Sequence, residues 1–306
     1  MSTPVIQVRD LRKAYGDLQA VAGVSFEVAE GEVFGMLGPN GAGKTTSVEI
    51  LEGLRIRDSG DVSVLGMDPA TSGRNFKRLV GVQLQQVALY PRLRVHEVIS
   101  LFGSFYEQRA NTDDLIALMG LEDRRNARIA ELSGGQAQRL SVALAVVNMP
   151  RLVFLDEPST GMDPQARRNL WDIIEGFKAK GMTVVLTTHY MEEAERLCDR
   201  VAVMDHGRII ALDSPSALVR ENFAEDAIEF VSNDGLSEHD LGELAGVTSA
   251  ASQGSAHSIF SSDIPRTMGS LLDLAQERGA PLEGMRVRHA TLEDVFLKLT
   301  GRTLRD

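Results

Sequence analysis

The chain has 306 residues, 43% of them hydrophobic, which is room for one large α/β domain and a small appendage. A formal charge of -11 disfavours any partner held mainly through a phosphate backbone, which needs a concentrated basic patch, so no nucleic acid is expected. A single cysteine, Cys198, excludes an intrachain disulfide and reads as an inert packing thiol in a reducing compartment, and no stretch approaches the ~18 apolar residues of a membrane-spanning helix.

The first residues alternate apolar and polar side chains like a strand and lack the long apolar centre of a secretion signal, so the chain is expected to stay in the cytoplasm. Strands are predicted at 5–8, 25–28 and 33–37, the last running into a glycine-rich loop and a helix at about 44–54. Further strands are expected at 61–64 and 80–84, and a helical subdomain at about 86–150. Three strands at 152–155, 183–187 and 200–204 then alternate with helices at about 165–180 and 191–197, the pattern of a mainly parallel sheet covered by helices. A turn at His206 and Gly207 leads to a strand at 208–212, and a helix follows Pro215.

Beyond residue 225 the character changes. Residues 221–306 carry 15 Asp and Glu against 7 Lys and Arg, a net -8 that leaves only -3 for the first 220 residues. Short apolar runs, a Gly/Ser-rich stretch at 249–255 and a helix near 267–278 predict a small α+β domain over 226–306, after a first domain at 1–225. Thr291 and Asp294 stand as a capping box before a helix whose Leu292, Val295, Phe296 and Leu299 form a packing stripe.

The chemistry begins with Gly38, Pro39, Asn40, Gly41, Ala42, Gly43, Lys44 and Thr45, followed by Thr46. This is the P-loop pattern between a strand and a helix, whose backbone N–H groups surround phosphate oxygens at a helix N-terminus. Lys44 is expected on the β- and γ-phosphates and the Thr45 hydroxyl on Mg²⁺. An apolar strand at 152–155 delivers Asp156, the expected metal-side acid, and Glu157, placed to act as general base on a water in line with the γ-phosphate. Ser133, Gly134, Gly135 and Gln136 open a second helix with exposed N–H groups. A second anion-binding surface on one chain makes sense if it serves another molecule's nucleotide.

With Leu132 these residues spell LSGGQ, and together with the P-loop and the acidic strand end, in order over residues 5–220, the chain resembles the ATP-binding cassette ATPases. The resemblance implies an α/β P-loop NTPase fold with a helical subdomain, and ATP and Mg²⁺ as ligands. By the same likeness Tyr15 corresponds to the aromatic residue that stacks on adenine. Gln85 corresponds to the glutamine that senses the metal and the attacking water, although Gln83 and Gln86 flank it and Leu84 replaces a usual proline. Asp163 corresponds to an acid crossing the interface between two copies, and His189 to the switch histidine near the γ-phosphate.

The family pattern implies a second copy of the chain closing an ATP sandwich, a separate transmembrane permease, and a location on the inner face of the cell membrane. Residues 290–301 are similar to the C-terminal segment of ATPases in bacterial drug and antibiotic exporters, the daunorubicin exporter type, so export of a drug, antibiotic, lipid-like or polysaccharide cargo is expected. Two rivals fit less well. An ATPase working on DNA or ribosomes would show a long coiled-coil insertion, a tandem cassette or a basic surface. A module that holds ATP without turnover would not need Lys44, Asp156, Glu157 and His189 together.

Overall fold

In the computed structural model, which describes residues 4–84, 89–223, 225–232 and 236–300, the N-terminal alternation becomes a long hairpin. Strand β1 (Ile6–Tyr15) turns at Gly16, whose φ of 56° lies in the left-handed region open to glycine, into β2 (Leu18–Val28). Both strands outrun the apolar segments predicted for them, because the antiparallel ladder from Ile6 opposite Val28 to Tyr15 opposite Leu18 also pairs the polar residues between. Strand β3 (Val33–Leu37) is buried at every position and leads through the glycine-rich loop into helix α1 (Lys44–Leu51). Strand β4 (Ser59–Val64) lies antiparallel to β1 and completes a three-stranded sheet in the order β2-β1-β4.

Helix α2 (Gly73–Leu79) feeds strand β5 (Val80–Gln83), and a helical portion follows. Helix α3 (Val95–Gly103) buries Val95, Val98 and Ile99, and α4 (Thr112–Leu118) starts where the Asn111 side chain accepts from the N–H groups of Asp113 and Asp114. Helix α5 (Gly134–Ala145) ends against β5 so closely that a Cβ on Gly81 would lie 1.9 Å from the Ala145 carbonyl oxygen.

The rest of this unit alternates as the sequence pattern requires. Strand β6 (Leu152–Asp156), helix α6 (Pro164–Ala179), strand β7 (Thr183–Thr188), helix α7 (Met191–Leu197) and the strands β8 (Arg200–Asp205) and β9 (Arg208–Asp213) follow in turn. The second sheet has the order β5-β6-β7-β3-β8-β9 and is parallel except for the β8-β9 hairpin. Successive side chains of β3, β6 and β7 point to opposite faces and all are buried, so both faces of this sheet are covered. Cys198 is buried, which pushes its thiol pKa well up and leaves it an inert packing group.

The chain divides between Pro215 and Ser216, at the start of α8 (Pro215–Asn222). In the second unit β10 (Asp226–Val231) is followed by α9 (Glu238–Gly242), β11 (Val247–Gln253), β12 (Ala256–Ser261), α10 (Ile264–Arg278), β13 (Glu283–Arg288) and α11 (Leu292–Thr300). Its antiparallel sheet has the order β11-β12-β10-β13 and buries Ile228, Phe230 and Ile259 with Leu241 and Leu271. Much of the Gly/Ser-rich stretch forms the edge strand β11. Helix α10 begins before Thr267 because Asp263 accepts from the Arg266 N–H and Pro265 occupies the first turn. The Thr291 and Asp294 capping box forms, and Leu292, Val295 and Phe296 are buried, whereas Leu299 is 38% exposed and lies outside the packing stripe.

In the first unit a carboxyl group is buried at the end of α1 with no counter-ion among the described residues. Glu52 is 3% exposed, and among the described residues neither of its oxygens has a hydrogen-bond partner. Burial, then the charges of Asp156 and Glu49, push its pKa up to about 8 from 4.5. Between those values the native chain holds a proton that the unfolded chain has lost, so Glu52 destabilises the fold increasingly as pH rises. Glu52→Gln is therefore expected to unfold at nearly the wild-type temperature near pH 5 and to gain on wild type towards pH 8, by up to roughly 1.4 kcal/mol per pH unit. Thermal melts across that range check the sign, and a gap independent of pH overturns it.

Candidate nucleotide site

The P-loop runs from the end of β3 to the first turn of α1. Its shape depends on two glycines packed against other backbone, since a Cβ on Gly38 would lie 2.3 Å from the Met204 carbonyl oxygen and one on Gly43 would lie 2.2 Å from that of Ala20. Gly43 also has a φ of 98°, which an L side chain rarely adopts. Gly38, Pro39, Ala42, Gly43 and Lys44 are buried, Asn40, Gly41 and Thr45 are exposed, and Thr46 is half-buried. Lys44 Nζ donates to the carbonyl oxygens of Gly38 (2.8 Å) and Pro39 (3.1 Å), drawing the loop over its own ammonium. Burial lowers the Lys44 pKa, and the charges of Glu157 and Asp156 oppose that.

Those two carboxylates stand at the end of β6, and Thr187 on neighbouring β7 holds both. Asp156 pairs with Thr187 across the parallel register, and the Thr187 hydroxyl donates to Asp156 Oδ1. The same hydroxyl oxygen accepts from the Glu157 N–H at 3.0 Å. Burial raises the Asp156 pKa, against the Thr187 hydrogen bond and the Lys44 charge. Glu157 is a non-glycine residue with a φ of 47°, a strained conformation that turns the chain sharply at the strand end. Its Oε2 lies 3.4 Å from His189 Nδ1 and accepts from the Thr160 hydroxyl at 3.1 Å. The His189 hydrogen bond is the largest influence on Glu157 and, with Thr160 and Lys44, holds its carboxyl below the usual range despite burial.

The P-loop, Asp156, Glu157 and His189 thus form one cluster. Ser133, Gly134, Gly135 and Gln136 stand apart from it. Ser133 Oγ accepts from the Gln136 N–H (3.3 Å) and Gln136 Oε1 accepts from the Ser133 N–H (3.0 Å), so both residues cap α5. A Cβ on Gly135 would meet Ala166 and Met162, and among the described residues this turn shares no hydrogen bond with the P-loop cluster. Asp163 caps α6 by accepting from the N–H groups of Gln165 and Ala166. Tyr15 is 40% exposed at the tip of the β1-β2 hairpin, with the Arg55 guanidinium 5.3 Å from its ring centre.

Gln85 lies outside the described residues. Nearby Gln83, buried at the end of β5, donates to the Leu84 carbonyl (2.8 Å) and reaches the Asp156 carbonyl (3.4 Å). Thr187 is the functional side chain that sequence reasoning passed over. Its signal was a polar residue ending an apolar strand, and only the pairing of β7 with β6 gives that residue a task.

Comparison with known proteins agrees with this geometry. The family described as ABC transporter matches residues 21–160. A protein of Burkholderia orbicola named Nod factor export ATP-binding protein I is 40% identical over the whole of both chains. The chain belongs to the ABC transporter ATPases. A relative of the same name from a Rhizobium species is 38% identical over 99% of each chain. Among solved structures, an ATP-binding subunit of an ABC transporter is 28% identical, with a TM-score of 0.64 over 71% of this chain and 93% of its own. A component of a Clostridium perfringens ABC transporter complex is 26% identical, with a TM-score of 0.64 over 72% of this chain and 92% of its own. A post-hydrolysis cassette dimer bound to ADP and Pi, 24% identical with a TM-score of 0.63 over 68% of this chain and 98% of its own, shares the fold. This ABC ATPase binds and hydrolyses ATP as the nucleotide-binding subunit of a transporter.

Thr187→Val keeps the shape of the strand end and removes the hydrogen bonds that hold Asp156 and Glu157. Loss of a hydrogen bond to a charged group, ~1.5–3 kcal/mol, predicts a fall in ATP turnover of roughly ten- to a hundredfold. Thr187→Ser should restore most of it. Steady-state phosphate release checks this, and a valine variant at wild-type turnover overturns the role of Thr187.

Proposed function

We propose that two copies of this ABC ATPase close around two molecules of Mg-ATP on a separate membrane permease, and that hydrolysis drives export. The observation that supports this most is the separation of two anion-ready backbone surfaces within one unit, the P-loop and the Ser133–Gly135 turn. Each turn would then complete the site of the other copy, with Gly38 to Thr46 enclosing the phosphates from one side and Ser133, Gly134, Gly135 and Gln136 from the other. Asp163 would cross between the copies. Tyr15 offers an exposed ring for adenine.

Mg²⁺ fits the residues present. The Thr45 hydroxyl and the Asp156 carboxylate are hard oxygen donors, and few protein ligands suit an ion that keeps phosphate and water oxygens around it. When bound, the ion would neutralise charge on the β- and γ-phosphate oxygens. Gln85 is the further expected contact. Glu157, kept ionised by His189, takes a proton from water as its oxygen attacks the γ-phosphorus and the bond to the bridging oxygen breaks, releasing ADP and phosphate. His189 holds the carboxylate in place and senses the γ-phosphate.

No helix among the described residues is long and apolar enough to cross a membrane. On this reading the permease is a separate span-bearing protein, and this subunit sits on the inner face of the cell membrane. The exposed Tyr90 and Arg92 and the start of α3 at Val95 supply its docking face. Export relatives and the drug-exporter likeness of residues 290–301 support a drug, antibiotic, lipid-like or polysaccharide cargo. Residues 226–306 form an accessory domain that stabilises the pair or its seat on the permease.

Glu157→Gln keeps the shape and removes the base. ATP binding is expected to persist while turnover falls on the order of 10²–10⁴-fold, the usual contribution of a general base. The variant should accumulate as an ATP-bound dimer in size-exclusion chromatography with Mg-ATP, alone or with its permease. A monomer at saturating ATP in both preparations, or wild-type turnover, overturns the shared-site reading.

A further inference from the structure

Glu52 faces a cavity of about 300 Å³ that the ATP chemistry does not use. Its walls come from β5 (Val80, Val82), the end of α5 (Leu144, Ala145) and the aromatic Phe102, with Ser141 and Asn148 as polar companions. The site is built around a deficit of positive charge. The carboxylate is buried with both oxygens unpartnered among the described residues, and the charged groups that act on it, Asp156 and Glu49, are both acidic. Lys77 lines the same cavity from an exposed position, and neither Glu52 oxygen has a hydrogen-bond partner among the described residues.

Burial keeps the Glu52 carboxyl protonated in the cavity, an entering cation would let it give up that proton and pair, and the apolar walls fit an aliphatic stem. A metal ion would need several oxygen donors, and among the described residues no group of three or more His, Cys, Asp or Glu gathers to hold one. The mouth is apolar as well, since Leu54 and Leu84 line the cavity and are 52% and 40% exposed. Phe105, 69% exposed, stands edge-on to Phe102 at 6.0 Å. An apolar rim around a buried carboxylate suits an amphipathic helix carrying one basic residue in its apolar face. Cytoplasmic segments of membrane proteins are enriched in Lys and Arg. We propose that the cavity seats a lysine or arginine side chain from a cytoplasmic helix of the permease, whose cation pairs with Glu52. This rests on the reading of the chain as a permease-driving subunit and names the chemistry of that contact.

The pairing reaches the ATP site by two routes. A cation beside Glu52 would stand within electrostatic range of Asp156, whose charge acts on Glu52. A side chain in the cavity also bears on the end of α5, whose beginning carries Ser133 and Gly135.

The test uses the full chain in its own host, with the photoreactive residue p-benzoylphenylalanine replacing Leu54 at the cavity mouth. After irradiation of membranes, mass spectrometry identifies the crosslinked segment. The expected result is a cytoplasmic segment of an integral membrane protein that contains Lys or Arg, with yield falling at least tenfold in Glu52→Gln. Replacing that basic residue by Met should lower the yield as much, with no further loss when both changes are combined. Leu144→Trp, which fills the cavity without altering Glu52, should have the same effect, and thermal melts establish that each variant is folded. A segment without a basic residue, an unchanged yield in folded Glu52→Gln, or additive losses overturns the proposal while leaving permease docking intact. Absence of any membrane-protein crosslink from Leu54, and from a second probe at Tyr90, overturns both the proposal and the reading beneath it.

Discussion

Among the described residues, two carboxylates at the end of one buried strand share the Lys44 ammonium, and the nucleotide site is arranged around that imbalance. Asp156 and Glu157 both act on Lys44, while Glu49 adds further negative charge within electrostatic range of Asp156. In a partly desolvated site such interactions are several times stronger than in water. The two acids are therefore kept apart chemically. Burial pushes Asp156 towards its neutral form against the Thr187 hydroxyl, whereas His189 and Thr160 hold Glu157 towards its ionised form. A triphosphate adds more negative charge, which the inward N–H groups of the P-loop and Lys44 only partly offset. On the proposed reading, that is the electrostatic reason a divalent cation would sit beside Asp156.

Rigidity supports this arrangement from several directions. The P-loop is shaped by the backbones of Ala20 and Met204, each so close to a glycine that no side chain would fit. Gly207 donates its N–H to the Ala42 carbonyl, tying the turn between β8 and β9 to the same loop. The strained backbone of Glu157 costs of order 1–3 kcal/mol, and its N–H is held by both the hydroxyl and the carbonyl of Thr187. The strain fixes where the Glu157 carboxylate sits before any ligand arrives, and for the proposed base this would be the form in which conformational free energy serves catalysis.

The parts of this site that are local in sequence could be read from it. The P-loop is a contiguous pattern, the acidic pair follows its own apolar strand, and the parallel sheet announces itself through buried apolar runs separated by helices. What escaped reading depends on partners distant in the chain. Thr187 matters because β7 lies beside β6, a relation between residues 31 positions apart. Glu52 follows directly on α1 and looks like ordinary surface charge until α5 and β5 close over it. The edge strand β11 is poor in strand-forming residues and exists because β12 pairs with it from Val247 opposite Ser261 to Gln253 opposite Ala256.

Helix α5 joins these separate features into one mechanical element. At one end, Ser133 and Gln136 cap it and present the turn that a second copy would use. At the other, its last residue lies directly against Gly81 on β5, and Leu144 and Ala145 wall the cavity above Glu52. Twelve residues give a rod of about 18 Å. Strand β5 in turn ends at Gln83, whose amide reaches the Asp156 carbonyl at 3.4 Å. A group in the cavity would therefore touch the same helix that begins at the Ser133 turn and the same strand whose Gln83 reaches Asp156. Contacts rather than distance alone connect the cavity to the acidic strand end, and because the buried Glu52 carboxyl would ionise beside an entering cation, occupation of the cavity would change electrostatics as well as packing.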